Sequence, residues 1–192
     1  MSPPFSPVVV GFDFSHTGRA ALQRGVDLAA RAPHHVLHVA CVVDPRRPIP
    51  SIPSYHGVDV MYAARVQEAL AYAVHEELER VDVRGRVNFF VHARVGKPVE
   101  ELLALAREVS ADLVIVGSHG LTGLERLVIG SVSEKIVREA GCSVEVARPK
   151  RYTALVEPAA VEAEITDHTP IPPHRYEYED HRVLLRPTEW PL

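Results

Sequence analysis

The sequence predicts an α/β protein with a doubly wound parallel sheet, and two features of the chain carry this prediction. Five apolar segments rich in β-branched residues, without polar alternation, are typical of strands covered on both faces. Helical patterns lie between consecutive strands, so each connection is a right-handed crossover that makes its strands parallel. The 46% hydrophobic content of the 192 residues is enough for an ordinary core.

Boundary residues place the predicted elements along the chain. Ser15 or Thr17 can cap the first helix, and Pro98 suits the first turn of the third helix. His38 is interpreted as a packed histidine of the second strand. The strands are predicted at 7–12, 35–43, 86–95, 113–117 and 143–147, and the helices from the turn at 13–17 to about 30, then at about 58–81, 98–110 and 131–140.

A proline-rich segment, DPRRPIPSIPSYHG, follows the second strand at 44–57. Its four prolines exclude a helix or a central strand, so we expect a surface loop. The loop leaves the carboxyl end of a parallel strand, where α/β proteins bind ligands. One hypothesis is that Arg46 or Arg47 reaches a bound phosphate, and the other is that both arginines are simply solvated.

The stretch LVIVGSHGLTGLERLVIGSVSEKIVR has the layout of a phosphate-binding loop. Gly117 and Gly120 follow the fourth strand, and Gly130 precedes Ser131 at the start of a helix. Glycine lets backbone amides approach an anion closely and permits positive φ angles. The free amides and the dipole of the helix would point at the same anion, and the hydroxyls of Ser131 and Ser133 can add donors.

Structural interpretations of the same residues remain open. Ser131 and Glu134 match the S-x-x-E capping box, which needs no ligand, and Gly123 can be a turn residue. Asp13, at the carboxyl end of the first strand, faces the ligand crevice of such a sheet but can equally accept hydrogen bonds from the next helix. His119 can brace its loop by a hydrogen bond or act in acid-base catalysis.

Taken together, GSHG, nine residues and GSVSE resemble the ATP-binding signature of the universal stress protein family, in its UspA-like ATP-binding subgroup. The opening VVVGFDFS is also similar, and the resemblance extends over about residues 5–148. It implies an adenine nucleotide alpha hydrolase-like fold with strand order 3-2-1-4-5. That order makes strands 1 and 4 neighbours at the topological switch point and brings Asp13 opposite the GSHG loop.

The resemblance also implies a ligand and its contacts. ATP would bind with its base and ribose near Asp13 and its adenine edge at the backbone of Val39. Magnesium, which normally accompanies a triphosphate, would be reached by Asp13, Ser131 or Ser133. The implied ATP-binding residues are Gly11, Phe12, Asp13, Val39, Gly117, His119, Gly120, Gly130, Ser131, Val132 and Ser133.

The expected function is that of a cytosolic, ATP-binding stress-response or signalling module. The chain has no Walker loop, no G-x-G-x-x-G fingerprint and no SGG-type loop, and it shows no base with an orienting partner. No catalytic residue is therefore predicted. The alternatives are a slow ATPase or autophosphorylating enzyme on the same fold, and a dimerising interaction module that makes little use of nucleotide.

Charge and composition argue against several other classes. The net charge is −4, and residues 1–150 hold 17 acidic and 17 basic residues, so no basic surface for nucleic acid is expected. The sequence has no run of about 18 apolar residues and no signal-peptide pattern, which argues against export and membrane insertion. Cys41 and Cys142 lie in apolar contexts, and buried free thiols fit a cytoplasmic location.

The last part of the chain differs from the rest. Residues 151–192 are acidic, contain six prolines and no glycine, and hold the single tryptophan, so we separate them from the nucleotide-binding domain at 1–150. RYEYEDHRVLL predicts a short edge strand within an extended arm that docks on its own body or on a partner subunit. A zinc site among its histidines and aspartates is the weaker alternative, since the spacing is irregular and cysteine is absent; the residues concerned are Asp167, His168, His174, Asp180 and His181.

A homodimer is the expected assembly, because the resembling family commonly dimerises through its last strand. The segment SVEVAR departs from the family pattern by placing Ser143 and Glu145 where proline and an aliphatic residue are usual. Glu145 can instead protect the edge of the sheet against uncontrolled pairing, or meet the tail of a second chain.

Overall fold

The computed structural model describes residues 5–55, 57–81, 87–120, 129–149, 175–179 and 182–186. The chain divides into two compact units, Met1–Arg151 and Tyr152–Leu192. Predictions that concern the nine-residue part of the glycine loop, the tail histidines and aspartates, or Trp190 fall outside the described residues.

The first unit contains a five-stranded parallel sheet with helices in its crossovers. Its strand order is β3-β2-β1-β4-β5, which confirms the predicted α/β fold and its order 3-2-1-4-5. In chain order the elements are β1 (Ser6–Gly11), α1 (His16–Arg31), β2 (His35–Val43), α2 (Val60–Leu78), β3 (Asn88–Val95), α3 (Pro98–Glu108), β4 (Leu113–Gly117), α4 (Ser131–Glu139) and β5 (Ser143–Ala147).

Alternation along the central strand β1 builds two cores, one on each face of the sheet. Val8 and Val10 pack with residues of α1 and α2, whereas Val9 packs with residues of α3 and α4. All three valines are fully buried. Covering both faces explains why the strand is a continuous apolar run.

The neighbouring strands β1 and β4 end within one residue of each other in register, whereas β2 continues to Val43. Gly11, the last residue of β1, pairs with Ala40 of β2 and with Val116 of β4. The turns that follow β1 and β4 therefore leave the sheet side by side at its carboxyl edge, where a crevice forms in folds of this class.

Capping residues explain small differences from the predicted bounds. Ser15 is the N-cap of α1 and accepts a hydrogen bond from the Gly18 amide at 3.0 Å, so it takes the role predicted for Ser15 or Thr17. The second helix starts at Val60 and not at 58, because the carboxylate of Asp59 accepts from the Tyr62 amide at 2.7 Å and fixes the helix start.

The loop at 44–57 packs two of its side chains into the core, which the predicted surface loop would not do. The side chains of Ile49 and Ile52 are buried in the core on the α1 and α2 side. The hydroxyl of Tyr62 accepts a hydrogen bond from the Ile49 amide at 2.6 Å. The prediction that the prolines prevent a helix or a central strand is confirmed.

His38 forms a cross-strand pair with a second histidine. Its Nδ1 lies 3.1 Å from Nε2 of His92 on β3, and its ring stacks on Phe90 at a centroid distance of 5.0 Å. Partial burial lowers the pKa of both imidazoles, with a smaller lowering from His92 on His38 and from Arg94 on His92. His38 is thus a packed strand residue, as predicted.

The second unit contains a two-stranded antiparallel sheet, β6 (Arg175–Glu179) and β7 (Arg182–Arg186). We predicted a single edge strand for this segment, and this prediction is wrong because the segment forms two strands. Each half of RYEYEDHRVLL has enough aromatic or branched residues to form a strand of its own, so the two halves pair with each other.

Candidate functional site

A cavity of about 190 Å³ opens at the carboxyl ends of β1 and β4. It lies at the topological switch point, since β1 and β4 are neighbours while the chain crosses to opposite sides of the sheet. Its lining comes from both turns, from the start of α4 and from one face of α3. The lining residues are Gly11, Phe12, Asp13, Gly18, Ala40, Val42, Pro98, Leu102, Val116, Gly117, His119, Gly120, Gly130, Ser131, Val132 and Ser133.

Every predicted site residue except Val39 lines this cavity. Val39 is fully buried in the core on the α1 and α2 side, and its backbone pairs with Val10 on one side and Val91 on the other. Side chains alternate along a strand, so the neighbouring Ala40 and Val42 face the cavity instead.

The glycine at the end of β4 is required by packing. A Cβ on Gly117 would lie 2.6 Å from the carbonyl carbon of Thr17 and 2.8 Å from the amide nitrogen of Gly18, both in the first turn of α1. None of Gly117, Gly120 and Gly130 has a positive φ. The freedom of glycine to adopt positive φ is therefore not used at these positions, and close approach of backbone is the reason for Gly117.

Asp13 lines the cavity next to the glycine turn. Its Oδ1 accepts a hydrogen bond from the Ser15 amide at 3.0 Å, and Gly120 is so close that a Cβ there would lie 3.0 Å from Oδ2. A Cβ on Gly18 would overlap Oδ1. Ser15 is the cap of α1, so Asp13 closes the turn before the helix and does not cap the helix itself. Its predicted place at the crevice agrees with its position in the cavity lining.

The turn that carries Asp13 is strained. Phe14 has a φ of 63°, which is a left-handed backbone conformation that residues other than glycine rarely adopt. Its ring packs on Phe12 at a centroid distance of 4.7 Å, which offsets part of the cost. Strained backbone of this kind is concentrated at functional sites, where the surrounding structure holds it in place.

The N-terminus of α4 faces the cavity without a side-chain cap. Gly130 is the N-cap residue, and within the described ranges no side chain caps the first amides of the helix. The capping-box interpretation of Ser131 and Glu134 is wrong, because Ser131 is already the first helical residue, and Glu134 pairs with Arg138 at 2.8 Å. Uncapped amides and the helix dipole form an anion-binding position.

Ser133 and Ser131 have different roles in this arrangement. The hydroxyl of Ser133 is buried and donates to the carbonyl of Gly117 at 2.6 Å, which ties α4 to the end of β4. Ser131 is exposed. Of the two hydroxyls, only that of Ser131 is accessible from solvent.

The GSHG turn is tied to α1 through the backbone of His119. The Thr17 hydroxyl accepts from the His119 amide at 3.2 Å and donates to the His119 carbonyl. The imidazole Nδ1 lies 2.9 Å from the hydroxyl of Ser118. His119 thus has the bracing contacts that one interpretation predicted, and the residue belongs to the lining of the cavity.

Charged groups near the cavity are few. Arg46 and Arg47 are exposed and do not belong to its lining, so the structure does not bring the loop arginines to the site.

Burial, reinforced by the Asp13 carboxylate, raises the pKa of the Cys41 thiol to about 12. Cys41 is therefore a neutral core thiol beside the site.

Within the described ranges, no group of three or more histidine, cysteine, aspartate and glutamate side chains is placed to hold a metal ion. No helix there is long and apolar enough to cross a bilayer.

Several lining residues were not identified from the sequence. Ala40, Val42, Leu102 and Val116 supply apolar walls, and Pro98 begins α3 at the rim. The alternation of β2 would have selected Ala40 and Val42 once the face of Asp13 was known. Leu102 has no distinguishing signal, because its apolar helical position is the same as that of an ordinary core residue.

The family model described as "Universal stress protein family" matches residues 4–148 of this chain. A putative universal stress protein of Staphylococcus aureus strain USA300 is 27% identical over 164 residues, covering 85% of this chain and 96% of the relative. The residues that the family model matches include the sheet and the cavity described above.

Solved structures give the same result. A universal stress protein in complex with cAMP is 26% identical, with a TM-score of 0.51, and the match covers 76% of this chain and 98% of that one. UspA from Lactobacillus plantarum, 22% identical with a TM-score of 0.52, covers 77% of this chain and all of its own length, and shows the fold alone. The chain belongs to the universal stress protein family.

Proposed function

We propose that this chain is an ATP-binding stress-response or signalling module of the cytoplasm that holds the nucleotide in the cavity between β1 and β4. The observation that carries the proposal is that one cavity is lined both by the N-terminus of α4, which has no side-chain cap among the described residues, and by the carboxylate residue Asp13. A helix N-terminus favours phosphate, and a carboxylate suits ribose hydroxyls.

The comparison with a relative supports an adenine nucleotide as the ligand. A universal stress protein that is 26% identical was solved with cAMP, whose base and ribose are those of ATP. The apolar walls from Ala40, Val42 and Leu102 suit a flat base. ATP, in preference to a monophosphate, is proposed because GSHG, nine residues and GSVSE provide amides at both ends of the glycine loop.

Magnesium is proposed to accompany the triphosphate, and the chain fits it at one position. Asp13 Oδ2 faces the cavity and is a hard oxygen ligand of the kind that Mg²⁺ prefers. The Ser133 hydroxyl is committed to the Gly117 carbonyl, so among the three predicted ligands Asp13 is a better candidate than Ser133. The ion would neutralise charge between the phosphates and the carboxylate.

A homodimer through β5 remains part of the proposal. Within the described residues, β5 is an edge strand with β4 as its neighbour, so one row of its backbone groups is open to a second copy. Glu145 forms an ion pair with Arg24 of α1 at 2.7 Å, which raises the pKa of Arg24 and occupies this carboxylate within its own chain. A molar mass of one chain, measured by light scattering, would contradict the proposed homodimer.

Calorimetric titration of the full chain tests the ligand. Mg-ATP, Mg-GTP, AMP and cAMP are titrated into the wild type, into Gly120→Val and into Gly141→Val. A Cβ at position 120 meets Asp13, whereas one at position 141 meets nothing within 4 Å, so the second variant is a matched control. One adenine-selective site that is lost in Gly120→Val and kept in Gly141→Val is expected.

Two results would contradict the proposal. Absence of heat with millimolar Mg-ATP in the wild type removes nucleotide binding altogether. Release of more than one equivalent of labelled phosphate per chain, abolished by Gly120→Val, replaces the binding module with an ATP-cleaving enzyme.

A further inference from the structure

Two histidines from neighbouring strands meet on one face of the sheet. His92 on β3 pairs in register with Ala40 of β2, two residues beyond His38, so the two histidines are diagonal neighbours. Val39 and Val91 belong to the core on the α1 and α2 side, and alternation therefore places His38 and His92 on the opposite face. Both histidines are partly exposed, so an ion can reach them from solvent.

The distances within this pair suit two ligands of one metal ion. Nδ1 of His38 lies 3.1 Å from Nε2 of His92, and the ring centroids are 5.3 Å apart. Two imidazoles on one tetrahedral ion, with metal–nitrogen bonds of about 2.0–2.1 Å, hold their nitrogens about 3.3 Å and their centroids about 5.2 Å apart. The ring of Phe90 stacks on His38 at 5.0 Å and helps to keep that ring in place. Small torsional changes therefore convert the pair into a chelate.

Both rings are in the protonation state that a metal ion requires. Partial burial lowers the pKa of both imidazoles, so they are neutral near pH 7. Neutral imidazole is the form that binds metals. Without an ion, one of the two facing nitrogens donates its proton to the other. When an ion binds, that proton moves to the outer nitrogen of the same ring, and both rings stay neutral.

The charges beside the pair are balanced. After burial, the positive charge of Arg94 is the second cause that lowers the pKa of His92. The guanidinium of Arg94 pairs with Glu101 at 3.0 Å and with Glu108 at 2.7 Å, so two carboxylates offset one cation. Glu108 also acts on His92 in the opposite direction to Arg94. A bound cation is therefore not opposed by the charge of Arg94 alone.

We propose that Nδ1 of His38 and Nε2 of His92 bind one divalent transition-metal ion such as Zn²⁺. Imidazole nitrogen suits Zn²⁺, Cu²⁺ and Ni²⁺, whereas Mg²⁺ and Ca²⁺ prefer oxygen ligands. The described residues place no third histidine, cysteine, aspartate or glutamate in the same group, so water or a small ligand completes the coordination. This site does not depend on nucleotide in the cavity between β1 and β4.

Calorimetric titration of Zn²⁺ into the full chain, treated with EDTA and dialysed, tests the site without nucleotide. His38→Gln and His92→Gln are each expected to weaken one Zn²⁺ site by at least about tenfold, because even the loss of an outer-shell partner costs about 10–100-fold in metal affinity. His75→Gln is the matched control, since His75 is exposed and pairs with Glu79, and wild-type affinity is expected. Millimolar Mg²⁺ should not displace the Zn²⁺.

Nitrogen-15 NMR of the wild type gives a second readout that needs no variant to fold. Zn²⁺ is expected to shift the signals of Nδ1 of His38 and Nε2 of His92 and to leave the protons on the outer nitrogens. Unchanged signals at millimolar Zn²⁺ overturn the proposal. It is also overturned if either variant binds Zn²⁺ within about twofold of the wild type, because other groups then hold the ion.

Discussion

Gly117 touches the first turn of α1 so closely that a Cβ on it would lie 2.6 Å from the carbonyl carbon of Thr17. This contact brings the end of β4 against the helix that follows β1, and the cavity lies where the two turns meet. The same Thr17 binds the backbone of His119. The geometry of the candidate site therefore depends on one backbone contact.

Gly117→Ala is predicted to destabilise the protein by about 1–3 kcal/mol, because the added methyl group must push α1 away from β4. The free energy of unfolding in urea measures this. Gly141→Ala is the matched control, since a Cβ there meets nothing within 4 Å, and a change within about 0.5 kcal/mol is expected. Equal effects of the two substitutions would show that the contact does not constrain the fold.

Glu77 provides a second stability prediction, on the opposite side of α1. Its buried carboxylate accepts from Arg19 at 2.8 Å and from Arg80 at 3.1 Å. Glu77→Gln removes the charge that both guanidinium groups share and should lower the free energy of unfolding by about 1–3 kcal/mol.

Glu79→Gln is the control for that substitution. Glu79 is exposed and its partner is the exposed His75 at 3.3 Å, so its loss should change stability by less than about 0.5 kcal/mol. Thermal or urea unfolding of the two variants under the same conditions measures the difference between their free energies of unfolding. A Glu77→Gln variant as stable as Glu79→Gln would mean that the buried pair contributes nothing net.

The pair of His38 and His92 predicts a pH dependence of stability. Their pKa values are lowered in the folded chain by burial, whereas unfolded histidine titrates near 6.5. As the pH falls through this ordinary value, the unfolded state binds protons first, and stability is lost until the folded rings are protonated. Unfolding free energies should therefore be lower at pH 5.5 than at pH 7.5.

Replacing both histidines with glutamine should reduce that difference. His35 retains a contribution of the same sign, since burial also lowers its pKa. His75→Gln, at an exposed position, should leave the difference close to that of the wild type. If the double variant kept the full wild-type pH dependence of the free energy of unfolding, groups other than His38 and His92 would be responsible for it.

The two cysteines are predicted to differ in reactivity. Cys41 is buried and its thiol pKa is raised to about 12, whereas Cys142 is partly exposed and its pKa is raised less severely, mainly by burial. Iodoacetamide at pH 8 should therefore modify Cys142 first and Cys41 only when the chain unfolds. Mass spectrometry of the labelled peptides shows the order, and faster labelling of Cys41 would contradict its burial.

The sheet could be predicted because its evidence is local. The five apolar runs and the helices between them define the parallel strands, and the resemblance to a known family added their order. The boundaries that differ are those set by single caps, such as Asp59 at the start of α2. Ile49 and Ile52 were missed, because a proline-rich loop does not reveal that two of its side chains return to the core.

The candidate site was predicted in position but not in its physical detail. Gly117 and Ser133 were chosen as ligand-facing residues, yet the first packs on α1 and the second holds the Gly117 carbonyl. The capping-box pattern led to a wrong assignment of Ser131 as the N-cap, because the sequence does not show that Gly130 takes this position. Contacts such as Thr17 with His119 join residues 102 apart in sequence, and no local pattern reports them.

The most direct test of the account is an amide NMR titration of the full chain with Mg-ATP. The account predicts that the largest shifts occur at the first amides of α4, Ser131 to Ser133, at Gly117 to Gly120 and around Asp13, with little change at Gly141. Saturable shifts confined to those three segments would support a nucleotide held between β1 and β4. Shifts concentrated on another face of the sheet, or none at millimolar Mg-ATP, would contradict it.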